Sequence, residues 1–242
     1  MNPLELAAAH NRWSDRPVAE KLLLFGGLLV AALLVPPPVG HAAILAVCCV
    51  CGLVLARVPA RVYLPALLAP AVFLALGVGP LVWDLVGGRL VVDPTGVDAA
   101  WRAVSRAIAA TAATVTLACT TPAADLLAAG RRAGLPAPLA HVVDTTYRLV
   151  GILVGTTRTL RQAHDLRLGH RTARAAITSV GTQFATVFVL ALSRARAIDD
   201  AMALRAERGE TAVLAPARPV SAARLVVITV VVGAVVAVGM AA

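Results

Sequence analysis

Apolar runs long enough to cross a bilayer as helices set the first limit on this chain. A hydrocarbon core about 30 Å thick asks for roughly 20 mostly apolar residues per helix. Five stretches of the 242-residue sequence answer: about 21–39, 41–56, 64–86, 100–120 and 223–242. A segment in lipid must satisfy its backbone polar groups internally, so each is predicted as a helix. The expected fold is an all-α integral membrane protein with about five transmembrane helices. Composition agrees, at 59% hydrophobic and 14% charged residues, more apolar than a soluble domain of this size needs to be. Arg12, Arg16 and Lys21 precede the first run as they would in a secretory signal, but Pro36, Pro37, Pro38 and a second apolar run follow it. It therefore reads as a retained helix.

The formal charge is +9, and Lys21 is the only lysine, so the excess is arginine. Arg12, Arg16 and Lys21 lie before the first run, Arg57 and Arg61 between the second and third, and Arg131, Arg132 and many others after the fourth. Arg218 and Arg224 stand just before the fifth. By contrast, 36–40 has no charge and 83–101 mixes Asp84, Asp93 and Asp98 with Arg89. Cytoplasmic retention of positive charge then puts the N-terminus and the stretch between the last two spans inside, and the C-terminus outside, a cell membrane. Three regions follow: 1–121 with four spans, 122–218 as a cytoplasmic helical domain, and 219–242 as the last span. Aromatic residues make up only 4% of the chain, too few to interleave with the arginines as nucleic-acid binding asks.

The cytoplasmic stretch is patterned as helix throughout. Thr121-Pro122 with Asp125 is a helix-start signal, and Gly134 with Pro136 and Pro138 stops that short helix. A longer helix over about 138–167 carries Leu139, Val142, Val143, Leu149, Val150 and Leu153 at three- and four-residue spacing. Gly169 is expected to end it in a left-handed conformation. The next helix, over about 172–208, repeats the design and stops at Gly209. Its 175–192 portion is apolar enough to suggest a further span, but Thr178, Ser179, Thr182, Gln183 and Thr186 make a poor lipid-facing surface.

Chemistry-bearing motifs are few. No Gly-x-x-x-x-Gly-Lys-Ser/Thr loop occurs, so any ATP hydrolysis belongs to another chain. His10, His41, His141, His164 and His170 are scattered without catalytic spacing, and no cofactor or enzyme function is expected. Cys48, Cys49 and Cys51 fan out around a helix axis and cannot converge on one ion, and His164 and His170 with Asp165 are no better placed, so no metal site is assigned. Arg106, inside the fourth run, is open to two readings: a functional intramembrane charge, or an arginine snorkelling to the interface.

An ordered series of motifs then resembles one family. Thr120-Thr121-Pro122, Asp125-Leu126-Leu127, Arg131 to Pro136, Tyr147-Arg148, Arg161-Gln162-Ala163, Arg167-Leu168-Gly169-His170 and Arg194 to Met202 follow the pattern of the transmembrane T component of energy-coupling-factor ABC transporters. The likeness is closest to the cobalt and nickel, CbiQ-type members. That resemblance implies a non-catalytic scaffold in the lipid bilayer joining two cytoplasmic ABC ATPase subunits to a separate substrate-binding membrane (S) subunit. It also makes 122–218 a coupling domain whose two long helices dock arginine tips on the ATPases. Arg167, Leu168 and Gly169 match the first tip. For the second, either Arg205 or Arg208, with Gly209, reaches the same groove, being about one turn apart. The substrate implied is cobalt, nickel or a vitamin; the alternative outside this family is a self-sufficient carrier or channel.

Overall fold

A computed structural model of the chain describes residues 7–8, 11–86, 89–92, 94–169, 171–204 and 220–241. Helices α1 (Val18–Leu34), α2 (Val39–Cys49), α3 (Ala60–Gly77), α5 (Pro94–Thr120) and α9 (Ala222–Ala241) take up the five apolar runs. Helix α2 continues through wide π-type turns over Val50–Leu55. Between α3 and α5 lie the one-turn α4 (Gly79–Val82) and strands β1 (Trp83–Val86) and β2 (Arg89–Val92). The strands form an antiparallel hairpin that pairs Trp83 with Val92 and Val86 with Arg89. Among the described residues the fold is all-α but for this hairpin, and α5 starts at Pro94, upstream of the predicted 100. Three helices then fill the cytoplasmic stretch of the sequence reading: α6 (Ala123–Arg132), α7 (Ala137–Leu166) and α8 (Ala173–Leu204).

By backbone packing the chain divides into two compact units, 2–126 with 216–242, and 127–215. In the first unit α5 is the central helix, packing against α1, α2 and α3, while α9 lies against α1 and α2. Its interior is built of small and medium side chains: Ala31 and Ala32 of α1, Ile44 and Cys48 of α2, Ala109, Ala112 and Ala113 of α5. Lipid offers no hydrophobic drive to bring helices together, so close backbone approach and hydrogen bonds must do it. At Gly40 of α2 and Gly239 of α9 the approach is so close that a Cβ on Gly239 would meet the Gly40 Cα at 2.9 Å. Tyr63 of α3 is buried, its hydroxyl 2.9 Å from Thr116 Oγ1 of α5 and its ring against Gly52, where a Cβ would meet the ring at 2.9 Å. Leu33, Leu34, Val54, Phe73, Leu76, Val226 and Val230 face outward, as lipid-facing side chains do.

In the second unit α7 and α8 form an antiparallel hairpin, each about 45 Å long at 1.5 Å per residue. His141 Nε2 meets Met202 Sδ at 3.3 Å near the open end. At its start, Gly134 takes φ +102 to turn the chain from α6 toward α7, the stop expected of it.

Among the described residues four helices are long and apolar enough to cross a membrane: α3, Gly96–Thr120 of α5, α8 and α9; α1 and the 39–55 helix, though apolar, are shorter. Helix α8 meets this measure by length and composition although its sequence carries several polar residues. Thr178, Thr182 and Thr186 each donate a hydroxyl hydrogen bond, at 2.8–3.0 Å, to the carbonyl four residues earlier. Hydroxyls satisfied within the helix no longer demand water, so they do not bar α8 from lipid.

Candidate functional site

The turn joining α7 to α8 carries the predicted Arg167-Leu168-Gly169 motif. Arg167 caps α7 at φ −93°, ψ 13°, and its side chain is exposed. Beyond it the helix closes by two reversed hydrogen bonds: Gly169 N–H donates to His164 O at 2.8 Å and Leu168 N–H to Asp165 O at 3.0 Å. This is the Schellman pattern, in which the residue after the cap must be left-handed.

That residue is Leu168, at φ +58, not Gly169 as the sequence suggests. Glycine is needed one position later for a different reason. A Cβ on Gly169 would lie 2.6 Å from Ser179 Oγ and 3.0 Å from His164 O. Ser179, buried on the second turn of α8, donates its hydroxyl to Gly169 O at 2.8 Å. Thus α8 reaches back and pins the end of α7, and only a residue without a side chain fits beneath the pin. A leucine held left-handed costs about 1–2 kcal/mol, and strain of this size is found where the surroundings over-determine a functional turn. The outcome is a leucine side chain 65% exposed beside an exposed arginine.

The N-terminus of α8 is fixed on the other side of the turn. Thr172 Oγ1 accepts from Ala175 N–H at 3.2 Å and Thr172 O from Ala176 N–H at 2.8 Å, so threonine caps the helix. A hollow of about 400 Å³ opens here, lined by His164, Thr172, Arg174, Ala175, Thr178, Ser179 and Thr182. Arg158, Arg161, Arg167, Arg171 and Arg174 surround the turn with Asp165 as the single carboxylate in 158–174. The tip is strongly cationic and its turn is tied to both helices by hydrogen bonds. A guanidinium in such a place suits bidentate bonds to carboxylates.

Of the other predicted site residues, His170, Arg205, Arg208 and Gly209 lie outside the described residues. Arg106 lies on α5, exposed, in a hollow of about 520 Å³ with Ala99, Arg102 and Ala103. One residue away, Ser105 Oγ is 3.1 Å from Nδ1 of the buried His41, whose Nε2 is 3.1 Å from Ala32 O, so this histidine is a tie between helices. Cys48, Cys49, Cys51 and Cys119 are free thiols. Sequence reasoning did not single out Ser179 as a site residue, because a serine ten residues beyond a glycine has no pattern until the turn is folded.

A chain with several helices long and apolar enough to cross a membrane, and an inserted helical hairpin, is in class an all-α integral membrane protein. Residues 10–213 match the cobalt transport protein family CbiQ. The chain is 35% identical over 211 residues to the cobalt transport protein CbiQ of Rhodobacter capsulatus, covering 87% of this chain and 86% of that one. It belongs to the CbiQ family of cobalt transport proteins.

Proposed function

We propose that this chain is the coupling subunit of an energy-coupling-factor importer, passing ATP-driven movement of two cytoplasmic ATPase subunits to a separate membrane subunit that holds the substrate. The α7–α8 tip carries the reading: a pinned turn presents Arg167 and Leu168 outward on a cationic projection, a shape suited to docking in an acidic groove. The second contact is assigned to Arg205 or Arg208 with Gly209. Family membership favours a cobalt or nickel ion over a vitamin as the substrate, and the ion is bound by the partner rather than by this chain.

In this reading α7 and α8 lie on the cytoplasmic side with the N-terminus, and the C-terminus lies outside. Their uncovered apolar residues, among them Val142, Val150, Ile177, Phe184 and Phe188, are the surface on which the substrate-binding subunit and lipid pack. Two rigid helices of this length can carry a displacement from tip to membrane without bending.

The test is assembly. Arg167→Glu removes one buried charge contact and opposes another, a loss of about 2–5 kcal/mol for a desolvated pair, or roughly thirtyfold or more in affinity. With Arg205→Glu and Arg208→Glu added, the ATPases are expected to be absent from the purified complex and ATP-dependent uptake to cease. A triple variant that keeps both the ATPases and transport refutes the reading.

A further inference from the structure

Two adjacent residues of α1 are buried where no lipid-facing helix needs charge. Glu20 is 2% exposed and Lys21 1% exposed. Each is bound to the end of a different helix. Lys21 Nζ donates to Thr120 O at 2.8 Å, at the C-terminus of α5. Glu20 Oε1 accepts from Ser221 N–H at 3.3 Å, at the N-terminus of α9. Its Oε2 faces Arg224 Nη1 at 3.3 Å, a pairing by charge rather than by an aligned hydrogen bond. Asn11 adds a second bond to α5, from Nδ2 to Cys119 O at 3.1 Å.

The signs match the helix ends. A helix C-terminus carries unpaired carbonyls and partial negative charge, and the ammonium meets it; an N-terminus carries unpaired N–H groups and partial positive charge, and the carboxylate meets it. The two ends so held lie along the chain close to where it leaves the first unit, after Leu126, and returns to it, at Pro216. A pull on either connection therefore reaches α1 through the Glu20-Lys21 pair.

We infer that Glu20 and Lys21 are positioning residues for transport: they fasten the outgoing end of α5 and the returning end of α9 to α1, so that movement of the inserted unit is delivered to the membrane helices instead of being lost at a loose junction. This rests on the coupling function proposed above.

The complete transporter, in liposomes, supplies the test as metal ion taken up per ATP hydrolysed. Lys21→Met and Glu20→Ala are expected to lower that ratio about tenfold, within the range of coupling between sites, while the ATPases stay bound and hydrolysis continues. Lys21→Arg and Glu20→Gln, which keep the donor and the acceptor, are expected to restore most of it. Amide exchange in the full chain should quicken around 117–121 in Lys21→Met and around 221–225 in Glu20→Ala. Should a buried variant fail to insert, Arg224→Ala removes only a half-exposed partner and carries the same expectation at smaller size, about threefold. Helix ends loosened by exchange with an unchanged ratio overturn the inference, as does a loss that Lys21→Arg and Glu20→Gln do not restore. Absence of ATPases from the wild-type complex instead overturns the coupling function itself, so the two failures are distinct.

Discussion

Replacing Gly169 by alanine adds one methyl group at a place with no room for it. The new Cβ would stand 2.6 Å from Ser179 Oγ and 3.0 Å from His164 O, against an ordinary contact of about 3.5–4.0 Å. Ser179 has to leave, and with it the 2.8 Å bond to Gly169 O. The lost bond costs about 0.5–1.5 kcal/mol and the displacement of packed atoms about 1–3 kcal/mol, so the turn is disfavoured by roughly 2–4 kcal/mol. ATPase affinity is then expected to fall roughly thirtyfold or more. Ser179→Ala alone forfeits only the bond, about fivefold. In the double variant the methyl meets no hydroxyl and the remaining conflict is with His164 O, so the penalties combine to less than their sum. Titration of the purified chain in lipid nanodiscs with labelled ATPase subunits gives the four affinities of the cycle, whose coupling should be about 1–2 kcal/mol. Strict additivity, or wild-type affinity for Gly169→Ala, refutes the pinned turn as the determinant of docking.

Leu168→Gly separates strain from contact: glycine relieves the left-handed φ of +58 and should protect the α7 end from amide exchange by about 1 kcal/mol. The same variant should weaken ATPase binding, because the exposed leucine is gone; tighter binding would mean that the side chain makes no contact. Gly239→Val drives a branched side chain into Gly40 and should lower the thermal midpoint of the detergent-solubilised chain by several degrees, with a cost of about 1–3 kcal/mol. An unchanged midpoint would refute the close approach of α2 and α9 at these two glycines.

The helices were readable because their cause is local. Apolar run length, proline stops and three- and four-residue spacing act within one segment, and α1, α2, α3, α5 and α9 each cover most of the run that those signals mark, although α3 stops at Gly77, nine residues short of the predicted 86. The hairpin at 83–92 and the early start of α5 were not readable: 83–86 falls within the third predicted span, and the mixed charge and two glycines beyond it read as loop. Lys21 was visible only as one of the positive residues before a span. Its burial depends on Thr120, 99 residues away, and no local pattern announces a cap supplied from another helix.

The tip shows the same boundary inside one motif. From Arg-Leu-Gly alone, left-handed backbone is assigned to glycine, because glycine adopts it without steric cost. The reversed bonds to His164 and Asp165 shift the assignment by one residue and give it to leucine. What decides the matter is α8. Ser179 occupies the space over residue 169, so the glycine is spent on closeness and the strain falls on its neighbour. A turn closed by α7 alone could fray without consequence for the second helix. One closed by Ser179 cannot open unless α8 lets go, so the arginine, the strained leucine and both long helices respond to a push on the tip as one piece.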